Sequence, residues 1–250
     1  MYEIENIFAA PIDVDGICVV KPILLSEFKR PGATEKYQKY RQYLSILAMS
    51  SEDILEMFKE NKIISDYDKS AVSQFSQFDL FTSIPYFREL FHEALSFFVV
   101  EELSWSDTIK SFLVSGKDLG AVVNGDVYKK VRRAILESNY INIEDETSEA
   151  KVANSRAKSI LEKLAAGRKK KAVAQASKSP PLDSIISSVC TYSNGYTLLN
   201  IGDLSVYQLF DQFMRLGSKV QLDTFSLRWA AWGKDPFDFT LWYKNLKGEN

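Results

Sequence analysis

The sequence predicts a mainly α fold with a minor β component (α+β), arranged as a larger N-terminal domain, a basic helix and linker, and a small C-terminal helical-hairpin module. Three observations predict it. Apolar residues recur at helical spacing in successive segments, several opened by a capping residue. One pair of short apolar runs flanks a turn dipeptide, Asp15-Gly16, and reads as a hairpin. Residues 151–178 then hold nine basic residues against the single acid Glu162, a net of +8 that leaves −10 on the rest of a chain whose total is −2.

The hairpin lies in "IFAAPIDVDGICVVKPILLSEF", and "RPG" at 30–32 ends it. Tyr40, Tyr43, Leu44 and Leu47 predict one helix, and Ile54, Leu55 and Phe58, after the caps Ser50 and Ser51, predict a second across a tight corner. The next helix starts at Pro85, a residue suited to the first helical position. Its apolar face is Phe87, Leu90, Phe91, Ala94, Leu95 and Phe98, which puts His92 off the stripe among Arg88, Glu89 and Glu93 and so toward solvent. In "AVVNGDVYKKVRRAILESNYINI", a turn at Asn124-Gly125, an Asp126 cap, a helix to about Ser138 and a short strand at 140–143 are expected. These elements make a mixed helical domain over 1–148.

Residues 149–179 form a basic helix and flexible linker: the apolar stripe of Ala153, Ala157, Ile160, Leu161 and Leu164 is thin, and Gly167 breaks it. Residues 180–250 form the C-terminal helical module with a Trp-rich tail. Its first helix starts near Pro180, turns Leu182, Ile185, Ile186, Val189 and Cys190 inward, and stops at Asn194-Gly195. Its second opens on the capping box Ser205/Gln208 with Leu204 and Leu209 as a hydrophobic staple. Val206, Leu209, Phe210 and Phe213 make the buried face, and Gly217 ends the helix. Residues 220–232 stay open between strand and helix, and Asp238 can cap a last short helix.

Composition narrows the function. The chain is 46% apolar and 26% charged, the balance of a soluble globular protein. No apolar run reaches the ~20 residues of a membrane span, and Cys18 and Cys190 form no disulfide or ligand pattern. A cytoplasmic protein without membrane, metal or cofactor is expected. One histidine, His92, leaves no nucleophile–base pair in view, and the phosphate-binding glycine loops are missing: "SGKDLG" at 115–120 has neither spacing. "DVDG" at 13–16 starts like a calcium loop but has no Glu at the twelfth position. Carboxylate pairs such as Glu101-Glu102 and Glu144-Asp145-Glu146 fit a solvated face better than acid–base work. No catalytic residue is expected. The basic stretch contains no aromatic residue, which weighs against nucleic acid and toward a tether or an acidic protein partner.

Ile186, Ser187, the run Leu204-Ser205-Val206-Tyr207-Gln208-Leu209-Phe210, Phe213 and Arg215 together resemble the C-terminal helical module of tail assembly chaperones of long-tailed bacteriophages, including those that assist baseplate-hub or tape-measure assembly. "YLSILAMSSEDILEMF" and "NGDVYKKVRRAILESNYI" carry weaker likeness. Ser205 stands where Thr is commoner, a neutral change for a cap, and the Trp-rich tail has no counterpart. The resemblance implies a non-enzymatic assembly factor of the infected host cytoplasm that holds an aggregation-prone tail or hub component. Its partner-binding residues would be the strip Tyr207, Asp211 and Met214, which falls off the buried stripe, together with the basic Arg168, Lys169, Lys170 and Lys171. The alternatives are a structural baseplate or tail-completion subunit of the virion, and, with less support, a nucleic-acid adaptor using the basic stretch.

Overall fold

The computed structural model describes residues 2–60, 63, 76–117, 120–141 and 180–233. The chain divides into two compact units, Met1–Asn142 with Leu199–Gln212, and Ile143–Leu198 with Phe213–Asn250. Among the described residues the fold is mainly α with a minor β component, as the sequence predicts; the β part is two small antiparallel sheets, of which the sequence predicts only the N-terminal hairpin.

The first unit begins with a five-residue helix, α1 (Glu3–Ile7), and the predicted hairpin, β1 (Ile12–Val14) and β2 (Cys18–Val20), in the register Ile12↔Val20 and Val14↔Cys18. Asp15 and Gly16 hold the turn with φ of 54° and 69°. Asp13 Oδ2 accepts from Gly16 N at 2.9 Å, so this carboxylate closes the turn. Because side chains alternate along a strand, Ile12, Val14, Cys18 and Val20 all face the core.

After a 3₁₀ turn at Leu25–Phe28 come α2 (Ala33–Ala48) and α3 (Ser51–Glu60), meeting at the predicted corner. Ser50 and Asp53 make a reciprocal cap: Ser50 N donates to Asp53 Oδ2 at 3.1 Å and Asp53 N to Ser50 Oγ at 3.2 Å. Next are α4 (Gln77–Ser83) and α5 (Pro85–Phe98), the latter starting at Pro85 with Phe87, Phe91, Ala94, Leu95 and Phe98 buried. A three-stranded meander follows: β3 (Leu103–Ser106), β4 (Ser111–Val114) and β5 (Val122–Val123), all antiparallel. Then comes α6 (Gly125–Ser138). The core is aromatic. Phe91 stacks on Phe81 at 5.1 Å and meets Tyr128 edge-on at 5.0 Å, while Phe78 contacts Phe91, Phe112 and Tyr128.

Two local expectations change here. The cap of α6 is Asn124, whose side chain accepts from both Asp126 N and Val127 N; an Asx cap two residues earlier leaves Asp126 inside the helix. Tyr140 lies at φ +61° and Ile141 is in no strand. A residue in that left-handed region ends a helix and cannot continue a ladder. Positions 142 and 143 of the expected strand lie outside the described residues.

In the second unit, α7 (Leu182–Tyr192) buries Ile185 and Val189. It ends at Ser193, whose extended backbone and Oγ, accepting from Gly195 N and Tyr196 N, stop the helix before Asn194-Gly195. α8 (Val206–Trp232) is a single helix of 27 residues. It runs through Gly217 and resolves 220–232 as helix. Gly233, at φ +59° with its N–H on Trp229 O at 2.7 Å, forms the actual stop. The expected basic helix and linker at 149–179 and the Asp238 cap lie outside the described residues.

The start of α8 belongs to the first unit. Leu25 N donates to Leu204 O and Val206 N to Ile23 O, both at 2.9 Å, a short strand-like bridge between residues 23–25 and 204–206. Leu199–Gln212 therefore sits with the N-terminal domain, where the sequence reading gives it to a separate hairpin. That reading pairs neighbours in the chain; the backbone hydrogen bonds pair positions about 180 apart.

Candidate interaction surface

The predicted capping box is present. Gln208 N donates to Ser205 Oγ at 3.2 Å and Ser205 N to Gln208 Oε1 at 2.9 Å. Leu204 and Leu209 are both buried beside it. Gln208 Nε2 makes a further bond, to Ile7 O at 2.7 Å, which ties α1 to the start of α8.

That attachment buries Tyr207, only 5% exposed, with its ring edge-on to Tyr140 at 5.3 Å. Tyr140 also stacks on Phe210 at 6.0 Å. The first turn of α8 is enclosed on two sides, by Val206 against the strand-like bridge and by Tyr207 against Tyr140, so Tyr207 is a core residue and offers no gripping surface. Asp211 and Met214 are half-buried. Arg168, Lys169, Lys170 and Lys171 lie outside the described residues. The expected strip thus does not form as one exposed face.

A different surface does. From Phe213 on, α8 carries two apolar stripes. One is Phe213, Leu216, Val220 and Leu227; the other is Leu222, Phe225, Trp229 and Trp232. At 3.6 residues per turn their centres are roughly 170° apart. Leu227 is 70% exposed, Trp232 68%, and Val220 and Trp229 52% each. The hydroxyls along this stretch turn back onto the helix: Thr224 Oγ1 donates to Val220 O at 2.8 Å and Ser226 Oγ to Asp223 O at 2.9 Å. With their donors satisfied in this way, the surface reaches outward mainly with hydrocarbon and charge. The charges are Arg215, Lys219 and Arg228 against Asp223, and Lys219 pairs with Asp223 at 2.7 Å. Large aromatics presented this way are what binding surfaces use. The seven-residue spacing within each stripe is the sequence signal for it.

His92, expected toward solvent, is half-buried. Its ring stacks on Phe112 at 5.6 Å and Nε2 lies 2.7 Å from Leu103 O. A carbonyl oxygen only accepts, so Nε2 carries the proton and His92 pins α5 to β3. Glu101 is likewise engaged in structure, accepting from Val19 N at 2.8 Å with Lys117 at 3.8 Å. Among the described residues, no three His, Cys, Asp or Glu side chains gather as metal ligands, and no helix is long and apolar enough to cross a membrane.

Residues 169–247 match the family described as the YomV second domain. That family is phage-derived and suggests a phage origin. The matched residues take in α7 and all of α8, the exposed stripes included. No curated protein and no solved structure matches the chain.

Proposed function

We propose that this chain is a non-enzymatic bacteriophage assembly factor, a tail or baseplate-hub chaperone that holds an aggregation-prone component such as a tape-measure or hub subunit in the infected cytoplasm. The observation that carries the reading is the exposed aromatic face of α8, Phe225, Trp229 and Trp232, lying inside the segment that matches a phage-derived family. An apolar face of this kind grips a client by burying large rings at low cost in side-chain entropy. The aromatic-free basic stretch that includes Arg168–Lys171 adds long-range attraction for an acidic client.

The test has two arms. Purified chain should suppress aggregation of a co-expressed tape-measure or hub subunit, and a Trp229→Ala/Trp232→Ala variant should lose that effect while keeping its helicity. Mass spectrometry of finished particles should find the chain missing. Its presence there at subunit stoichiometry overturns the chaperone reading in favour of a virion component.

A further inference from the structure

We infer that α8 pairs with α8 of a second copy of this chain, antiparallel, through the stripe Phe213, Leu216, Val220 and Leu227. Two apolar stripes on opposite sides of one helix cannot both face a single helical neighbour. The aromatic stripe suits a client. The other has the features of a self-complementary surface.

The first feature is spacing. Phe213, Val220 and Leu227 recur every seven residues, with Leu216 between the first two and Asp223 at the matching place between the last two, the seam of two packed helices with one charged position. Val220 and Leu227 are exposed while Phe213 and Leu216 are half-buried, so the seam is open at its C-terminal end. The second is charge. Parallel, in-register pairing would set Asp223 against Asp223 inside the seam. An antiparallel twofold axis between Gln221 and Leu222 removes that clash. It brings Leu216 level with the second copy's Leu227, and Lys219 within one residue, about 1.5 Å of rise, of the second copy's Asp223. Both side chains are about half exposed, at 49% and 57%, so each can turn from its intrahelical partner to the second copy. An isologous contact repeats every such pair twice.

The third is size. The stretch from Phe213 to Leu227 is roughly 22 Å long, and a two-helix contact of that length lies near the lower limit of specific interfaces, about 1,000 Å² in total. The dimer is therefore weak, on the order of micromolar. Dimerisation would present two aromatic faces at once and raise the effective concentration of the second for one extended client.

Sedimentation equilibrium on the full chain from roughly 1 to 100 µM tests this. The wild type should associate to a dimer that dissociates on dilution, and Leu227→Asp should remove it. Lys219→Asp and Asp223→Lys should each weaken it several-fold, and an equimolar mixture of the two should recover association as a mixed dimer, since the charges are then complementary again. Trp229→Ala/Trp232→Ala should leave the dimer intact, which separates this surface from the client face. Circular dichroism checks that each variant keeps its helix. A wild type that stays monomeric throughout overturns the proposal, as does association that the charge reversals neither weaken nor restore.

Discussion

Tyr128 Oη donates to Gln77 Oε1 at 2.6 Å, and both side chains are buried. The same amide donates through Nε2 to Met49 O at 2.8 Å and lies 3.3 Å from the carbonyls of Ile46 and Leu47. Arg132 Nε adds a bond to Leu47 O at 2.8 Å. The carbonyls at the end of α2 run out of i+4 N–H partners; Met49 N reaches Ile46 O at 3.3 Å, and side chains from α4 and α6 close the others. One polar clamp sets the corner between α2 and α3.

Tyr128→Phe should therefore destabilise the first unit by about 1–3 kcal/mol, because it strips a buried acceptor of its donor. Gln77→Ala should cost at least as much, since it removes an acceptor of the Tyr128 hydroxyl and the shorter of two donors to the Met49 carbonyl, the other being Arg132 Nη2 at 3.3 Å. In urea denaturation the double variant should cost less than the sum of the singles, as expected for partners in one network. Strict additivity would mean that the two side chains are not coupled.

Tyr207→Ala should cost about 3–5 kcal/mol, the loss for a large buried side chain. Phe210→Ala should cost less, because Phe210 is half-buried and meets Tyr140 from one side. Thermal melts of the two variants settle the order. A Tyr207→Ala melt equal to wild type would return this residue to the surface.

The local grammar of the chain was readable and its long-range pairing was not. The Ser205/Gln208 box, the Ser50 cap and the Asp15-Gly16 turn each involve residues at most three apart, so spacing alone identifies them. The burial of Tyr207 depends on backbone bonds between 23–25 and 204–206, which leave no periodic mark in either segment. His92 sits off the apolar stripe of α5, yet a strand edge covers that side; the helix pattern cannot show what packs across it. Gly217 reads as a stop because glycine is costly in a helix. The cost is only about 1 kcal/mol, and with its φ outside the left-handed region Gly217 lets the helix run on.

Cys18 provides a pH and reactivity test. Burial, reinforced by the carboxylates of Glu101 and Asp13 and opposed by Lys117, pushes its thiol from 9.0 up to about 12. A thiol-specific reagent at pH 8 should label the half-buried Cys190 quickly and Cys18 only as fast as the first unit opens. As the pH rises past 9 the unfolded chain gives up this proton first. The contribution to stability is then complete below pH 9 and is lost progressively as the pH climbs toward 12. A Cys18→Ala variant should show a flatter fall across that range. Equal labelling rates for the two thiols in the native protein would contradict the burial of Cys18.

Two glycines should respond to alanine with opposite signs. Gly217 lies inside α8, outside the left-handed region, with nothing within 4 Å of where a Cβ would stand. Gly217→Ala should therefore stabilise the helix by about 0.5–1 kcal/mol, by reducing the freedom of the unfolded chain and improving helix propensity. At Gly202 a Cβ would lie 2.7 Å from Lys29 Nζ and 2.8 Å from its Cε. Lys29 would have to move, and its bond to Leu199 O, 2.9 Å long, would go with it. The lysine end is flexible, so the penalty is bounded, at about 1 kcal/mol for the lost hydrogen bond. Far-UV circular dichroism in urea measures both variants. If Gly217→Ala lowers helicity or stability, α8 is broken at Gly217, and the two stripes that depend on its unbroken period lose their basis.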